Sequence, residues 1–443
     1  MLTRFRAIWH RVNASYWFYP ALFSLAALLL ALATIWLDRN GWAGWLSDVK
    51  AIQPARPQGA SNMLTVISGS MIGTAATVFS ITIAAVAYAS GNYGPRLLTN
   101  FMEDKGNQLS LATFIGTFVY AITVLRSVRA EGERSALVLT DSDQLPGFVP
   151  QLSLLIAFAL MVVSIMVLVY FLNHIPDSIR INNVLRGIGV RLLKSIDSTF
   201  PDPDSGAGAI TRPSGEPVRA SETGYIQLID FARLQRIAEK HGGRIALAVR
   251  TGDFIHPGVA IAYWCPGLAS TDGVSPVDDI RESYSLGSSR TPHQDLEFLI
   301  DELVEIGLRA LSPGINDPMT AITALHWLGA ATAELGQRDL RLRSDLDRRT
   351  DERLIVPIAD DFGHFVARGF GAMRSAGATN RLAANAMFET LTNAASVLDD
   401  ETRLATLRRE GDQLARQFRE HLKGPELELA EARYASFQNA LRG

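Results

Sequence analysis

The densest set of reactive side chains in this sequence is His293, Glu297, Asp301 and Glu305, which recur every four residues. On a helix that spacing places all four on one face, and an imidazole with carboxylates has the geometry of a divalent-metal or acid/base site. Arg309 continues the row and can neutralise Glu305, while Asp317 from the following turn could join the group. The same pattern also describes a solvated or subunit-facing charged stripe, because ion pairs four residues apart are routine on helices. His293, Glu297 and Asp301 are therefore candidates for a metal, and the charged stripe is the simpler reading. No phosphate-cradling Gly-Lys-Ser/Thr loop, zinc spacing or nucleophile elbow is present, which disfavours ATP-driven transport and common hydrolase chemistry. No cofactor is expected, and an enzyme is the third reading of the chain, resting on this acidic stripe alone.

A second, uncharged set lies far upstream. Gly69, Gly73, Thr77, Ser80, Ala84, Ala87 and Gly91 recur at spacings of three and four, and Gly69 and Gly73 form a GxxxG pair. Such a stripe lets helix backbones approach closely. Ser110, Thr113, Thr117 and Tyr120 extend the theme in the next apolar segment. Two readings compete: helix packing within or between subunits, or a wet pathway in which hydroxyls replace part of a solute's hydration.

The elements that must position these residues are four apolar stretches, approximately Tyr16 to Leu37, Asn62 to Ala89, Asn107 to Leu125 and Pro150 to His174. A hydrocarbon core of about 30 Å needs roughly 20 helical residues, and each stretch meets that length. The spacing of apolar residues predicts an α-helical integral membrane protein with a four-helix transmembrane domain over 1–175. Basic residues near the segment ends, Arg4, Arg6 and Arg11 before the first and Arg180, Arg186, Arg191 and Lys194 after the fourth, put both termini in the cytoplasm. No ionisable residue lies mid-membrane, which argues against a proton-coupled pump and leaves a passive pore open. A net charge of -3 over 443 residues offers no footprint for nucleic acid. The single Cys265 excludes an intramolecular disulfide.

After the second stretch, Ser90 to Arg96 reads as a Gly/Pro-rich break, with Arg96 as a headgroup anchor or part of a pore mouth. The runs FSITIAAVAYASGNYGPRLL from Phe79, NQLSLATFIGTFVYAITVLRSV from Asn107 and RALSPGINDPMTAI from Arg309 resemble the uncharacterised bacterial membrane family filed as domain of unknown function 2254. That resemblance implies a bacterial inner-membrane protein with a soluble C-terminal half, and no agreed activity.

The cytoplasmic portion divides into three. Residues 176–217 read as an amphipathic helix, lying along the lipid surface or against a neighbouring subunit, followed by a Pro/Gly/Ser-rich linker. Residues 218–290 alternate in short β-like runs, Gly224 to Ile229, Arg244 to Val249, Val259 to Trp264 and Ile280 to Leu286, around a helical insert Phe231 to His241. This module looks like the barrel-sandwich hybrid of biotinyl and lipoyl carriers. A carrier needs a lysine at a hairpin tip, whereas Lys240 falls in the helical insert, so the module reads as structural.

Residues 291–443 read as helices, beginning with His293 to Leu311 and Pro318 to Leu335. In the turn between them Gly314 permits reversal, Asn316 or Asp317 caps, and Pro318 opens the second helix. Further helices run from Ala359, Asn380, Glu401 and Pro425, the last two as a hairpin that could pair subunits. Two functions fit: a homo-oligomeric channel or passive transporter for an ion or small solute with a cytoplasmic vestibule, or a membrane-anchored scaffold or sensor whose soluble half binds a protein or small ligand.

Overall fold

The apolar stretches form four helices in the computed structural model: α1 (Phe18–Arg39), α2 (Pro57–Tyr93), α3 (Lys105–Leu125) and α4 (Gln151–Ser178). Each is long and apolar enough to cross a membrane. The structure describes residues 15–42, 55–94, 104–130, 147–203, 214–267, 276–341, 343, 344, 346 and 354–441. The chain divides into two compact units at Gly91/Asn92, Gly94/Pro95 and Arg180/Ile181, so Asn92–Gly94 belong with the C-terminal unit.

In the first unit α3 is the most enclosed helix, with Ala112, Phe114, Tyr120, Ala121 and Val124 inaccessible to solvent. Small residues let its neighbours close in: a methyl on Gly116 would lie 3.4 Å from the Phe23 carbonyl of α1. Apolar side chains cover the outside of the unit, among them Leu25, Leu29, Val163, Met166 and Leu172. A water-facing surface would not carry so many. The second helix runs further than its apolar segment, through Ser90 and Gly91 to Tyr93, so the chain breaks at Gly94 (φ +126°) and not at Ser90. Arg96 lies outside the described residues.

The second unit opens with α5 (Ile181–Thr199), whose Leu185, Ile188, Leu192 and Ile196 are buried. It packs on two later helices, α8 (Leu296–Ala310) and α9 (Pro318–Leu335). The expected lipid- or subunit-facing role for its apolar side is corrected accordingly: that face lies in the core of its own unit.

The β residues make two small sheets. One has the order β1 (Glu216–Arg219), β5 (Ala260–Pro266), β3 (Gly243–Leu247), β7 (Ile355–Val356); the other has β4 (Phe254–Ile255), β2 (Gly224–Ile229), β6 (Tyr284–Gly287). Strand β7 arrives from the helical region and pairs in parallel with β3, covering an edge that local sequence leaves open. The insert forms helix α6 (Phe231–His241), capped by Asp230 through the Arg233 N–H at 3.0 Å and ended by Gly242 at φ +61°. Its Lys240 is exposed on that helix. The run near Ile280 begins as a short helix, α7 (Val277–Arg281), before β6.

The segment from Ala359 resolves into α10 (Phe362–Val366), a π-helical turn over Ala367–Gly371 and α11 (Ala372–Ala378). Then follow α12 (Arg381–Ala395), α13 (Glu401–His421) and α14 (Pro425–Ala440). The hairpin α13–α14 packs on α12 of the same chain, where Phe388 meets Phe418 and Phe437 with ring centroids 6.0 and 5.4 Å apart. Phe418 and Phe437 of the hairpin are buried within the protomer, while Leu429 of α14 is exposed.

Candidate functional site

Helix α2 buries one side and bares the other. Leu64, Ile67, Met71, Ala75 and Val78 enter the core of the first unit. Gly69, Gly73, Thr77, Ser80, Ala84 and Ala87 are all exposed. A methyl placed on Gly69 or Gly73 would meet nothing within 4 Å, so packing inside the protomer does not require either glycine. The Thr77 hydroxyl donates to the Gly73 carbonyl at 3.0 Å and Ser80 to the Ala76 carbonyl at 2.9 Å. Both hydroxyls are thus satisfied on their own helix, each keeping acceptor capacity toward the outside.

Thr117 does not join this face. Thr117 is buried against α4, its hydroxyl 3.0 Å from that of Ser164, while Thr113 bonds back to the Leu109 carbonyl at 2.8 Å.

Two polar clamps at opposite ends of α4 were not legible in the sequence. Asp38, at the end of α1, accepts hydrogen bonds from the Leu152 and Ser153 N–H groups, both at 3.0 Å, and from the Ser153 hydroxyl at 2.7 Å. It caps a helix whose own N-cap residue, Pro150, supplies no side-chain bond. Tyr120 ties in the core below, its hydroxyl 3.0 Å from that of Thr34 and donating to the Ser153 carbonyl at 3.2 Å. At the other end Asp104 caps α3 through the Gly106 and Asn107 N–H groups at 2.7 and 3.3 Å. Its carboxylate also meets His174 Nε2 of α4 at 2.9 Å. The signal for the first clamp was an α4 start without a cap beside an acidic residue at the end of α1; nothing local announced the second.

The carboxylate row in the second unit is an arginine-paired cluster. Helix α8 begins only at Leu296, because Asp295 caps it through the Phe298 N–H at 2.9 Å; the exposed His293 precedes the helix and leaves the expected row. Glu297 pairs with Arg368 at 2.6 Å and His364 at 2.9 Å. Asp301 is shared by Arg290 at 2.6 Å and Arg368 at 2.7 Å, and Arg290 also grips Asp295 at 2.7 and 2.8 Å. Two guanidinium groups thus sit where a cation would have to, and no group of three or more His, Cys, Asp and Glu among the described residues could hold a metal. Arg290, His364 and Arg368 come from other segments, which is why spacing along α8 did not reveal them.

In the turn before α9, Asn316 takes the left-handed conformation (φ +50°), and reversal occurs there and not at Gly314. Asp317 caps α9 through the Thr320 N–H at 3.2 Å and hydroxyl at 2.6 Å, with Pro318 in the first turn. A polar cavity of about 940 Å³ at the far end of α9 is lined by Asp202, Glu334, Arg338, Asp339, Arg341 and Arg403 among others. These charges largely pair with one another: Arg338 with Asp202 and Glu334, and Arg341 with Asp339.

Residues 13–393 match the family described as "Predicted membrane protein (DUF2254)". The chain belongs to this family. It is 30% identical over 415 residues to uncharacterized proteins of Mycobacterium bovis and Mycobacterium tuberculosis, covering 91% of this chain and 76% of each relative. No solved structure matches the chain. The part shared with this family of predicted membrane proteins takes in the bare face of α2, both clamps of α4 and the α8–α9 turn. Helices α13 and α14 fall beyond it.

Proposed function

We propose that the protein is a multi-pass protein of the bacterial inner membrane, with both termini cytoplasmic, that assembles into a homo-oligomeric channel or passive transporter around α2. The observation that carries this reading is the bare face of α2. Six small or hydroxyl-bearing residues on one side of the longest apolar helix are exposed, and a side chain added at Gly69 or Gly73 would project into open space. Lipid solvates apolar side chains as well as protein does, so association in a bilayer depends on close backbone approach, which Gly69 and Gly73 permit. Thr77 and Ser80 on the same face would give a permeating ion or small solute oxygen ligands without a fixed charge.

The second unit then serves as a cytoplasmic vestibule or regulatory domain. Its β module is read as an unmodified structural element of the barrel-sandwich-hybrid kind, in keeping with Lys240 lying on a helix. The test is single-channel recording on purified oligomers in planar bilayers. Conductance that changes in Ser80→Leu or Gly73→Leu is expected; silence under voltage, tension and ionic gradients would refute the channel.

A further inference from the structure

The start of α4 ties together the other three helices of the first unit, and each tie brings an arginine with it. Asp38, clamped on the Leu152 and Ser153 N–H groups, is followed by Arg39, the last residue of α1, whose guanidinium lies 5.6 Å from the centre of the Phe148 ring. Ahead of α2, the Ala55 N–H donates to Gln151 Oε1 at 3.2 Å and the Gln151 side-chain N–H donates to the Ala55 carbonyl at 3.4 Å. This places Arg56 next to the first turn of α4. Beyond α3, Arg129 and Phe148 exchange both backbone hydrogen bonds, at 2.9 and 3.1 Å, and Arg126 stands one turn earlier, directly after Leu125.

Four guanidinium groups therefore gather at one end of the bundle. Arg39, Arg56 and Arg126 are exposed, and none of the four enters an ion pair among the described residues. The one carboxylate among the described residues at this end, Asp38, is taken up by the cap of α4. A collar of like charges without counter-charge attracts an anion from outside. Its depth says which. Arg39 closes α1, Arg56 immediately precedes α2 and Arg126 immediately follows α3, so in a bilayer all three stand where hydrocarbon gives way to headgroups. Trp36 and Trp42, exposed by 58% and 71%, lie in the last turn of α1 and just past it, the usual level of interfacial tryptophan.

We propose that this collar binds the phosphate groups of anionic phospholipids, with Arg39, Arg56 and Arg126 as the principal contacts. Guanidinium groups match phosphate oxygens through paired N–H donors. An anionic headgroup neutralises the collar, whereas a zwitterionic one brings a cation of its own. The inference rests on the reading that α1–α4 cross the membrane.

The test titrates full-length protein in neutral detergent with phosphatidylglycerol or phosphatidylcholine and counts bound lipids by native mass spectrometry. Phosphatidylglycerol is expected to bind more tightly. Its affinity should fall about fivefold in each of Arg56→Gln and Arg126→Gln, the worth of one cation beside an anionic surface, and be largely kept in Arg56→Lys and Arg126→Lys. Neither arginine makes an ion pair that the fold would lose. Arg180→Gln, at the other end of α4 and paired with Asp177, should leave the affinity unchanged. Equal binding of the two lipids, or an equal loss in Arg180→Gln, would overturn the collar. Displacement of phosphatidylglycerol by inorganic phosphate, but not by chloride at matched ionic strength, would assign the arginines to a free anion and overturn the lipid. Alkaline carbonate extraction of native membranes separates the two readings: release of the protein would remove the spans and the collar with them, while retention without a phosphatidylglycerol preference would remove the collar alone.

Discussion

Asp38 Oδ2 accepts the Ser153 hydroxyl at 2.7 Å across 115 residues of sequence, fastening the end of α1 to the beginning of α4. The same carboxylate takes two backbone N–H groups that α4 would otherwise leave unpaired. Replacing it with alanine removes every one of these acceptors, and the expected cost is about 1–2 kcal/mol, the usual range for a lost helix cap. Asp38→Asn, which keeps one oxygen, should recover part of that loss. Thermal unfolding of detergent-solubilised protein reads the difference; identical midpoints for wild type and Asp38→Ala would show that the clamp contributes nothing.

Close packing separates two glycines that look alike in sequence. Gly73 has open space where a side chain would project, whereas a methyl on Gly116 would lie 3.4 Å from the Phe23 carbonyl oxygen. Gly73→Leu is therefore expected to leave protomer stability within about 0.5 kcal/mol while shifting the oligomer toward monomer. Gly116→Leu should destabilise the protomer by about 1–3 kcal/mol through overpacking. Light scattering in detergent and unfolding midpoints together distinguish the two, and the reverse pattern would place the contact surface on the wrong helix.

In the second unit, three hydrogen bonds from Arg341 to Asp339 at 2.8–3.1 Å hold that carboxyl below its usual range. A folded-state value below the unfolded one means stability that is present above the ordinary Asp range and lost as pH falls through it. Asp339→Asn should flatten this acid-side loss. Parallel acid-unfolding curves for wild type and variant below about pH 4 would contradict the assignment.

Cys265 is buried on β5, and burial pushes its thiol up. The thiolate is the reactive form, so maleimide labelling of the native protein at neutral pH should be slower than that of the denatured chain by about tenfold or more. Equal rates measured by mass spectrometry would mean that β5 opens readily.

Arg368 is shared between Glu297 and Asp301. Arg368→Met should destabilise the second unit by about 1–3 kcal/mol, because it leaves carboxylates half-paired in a partly buried cluster. Calorimetric titration of the wild type with Mn²⁺ should give no binding heat at this cluster, and a stoichiometric signal lost in Asp301→Asn would restore the metal reading.

Along the chain, local pattern specifies the four apolar helices, the helix Phe231–His241 and the capped start of the helix opened by Pro318. Apolar run length, capping and turn chemistry act over a few residues, so they are written locally. Tertiary structure alone decided which side of α2 is left bare, since a helix apolar around most of its circumference carries no pattern that tells bundle from lipid. It also supplied the partners of Asp38, Asp104 and the α8 carboxylates, and carried Ile355 and Val356 to the open edge of β3. Each of those pairings joins residues far apart in sequence, and the energy that selects them appears only when the intervening chain has folded back and excluded solvent.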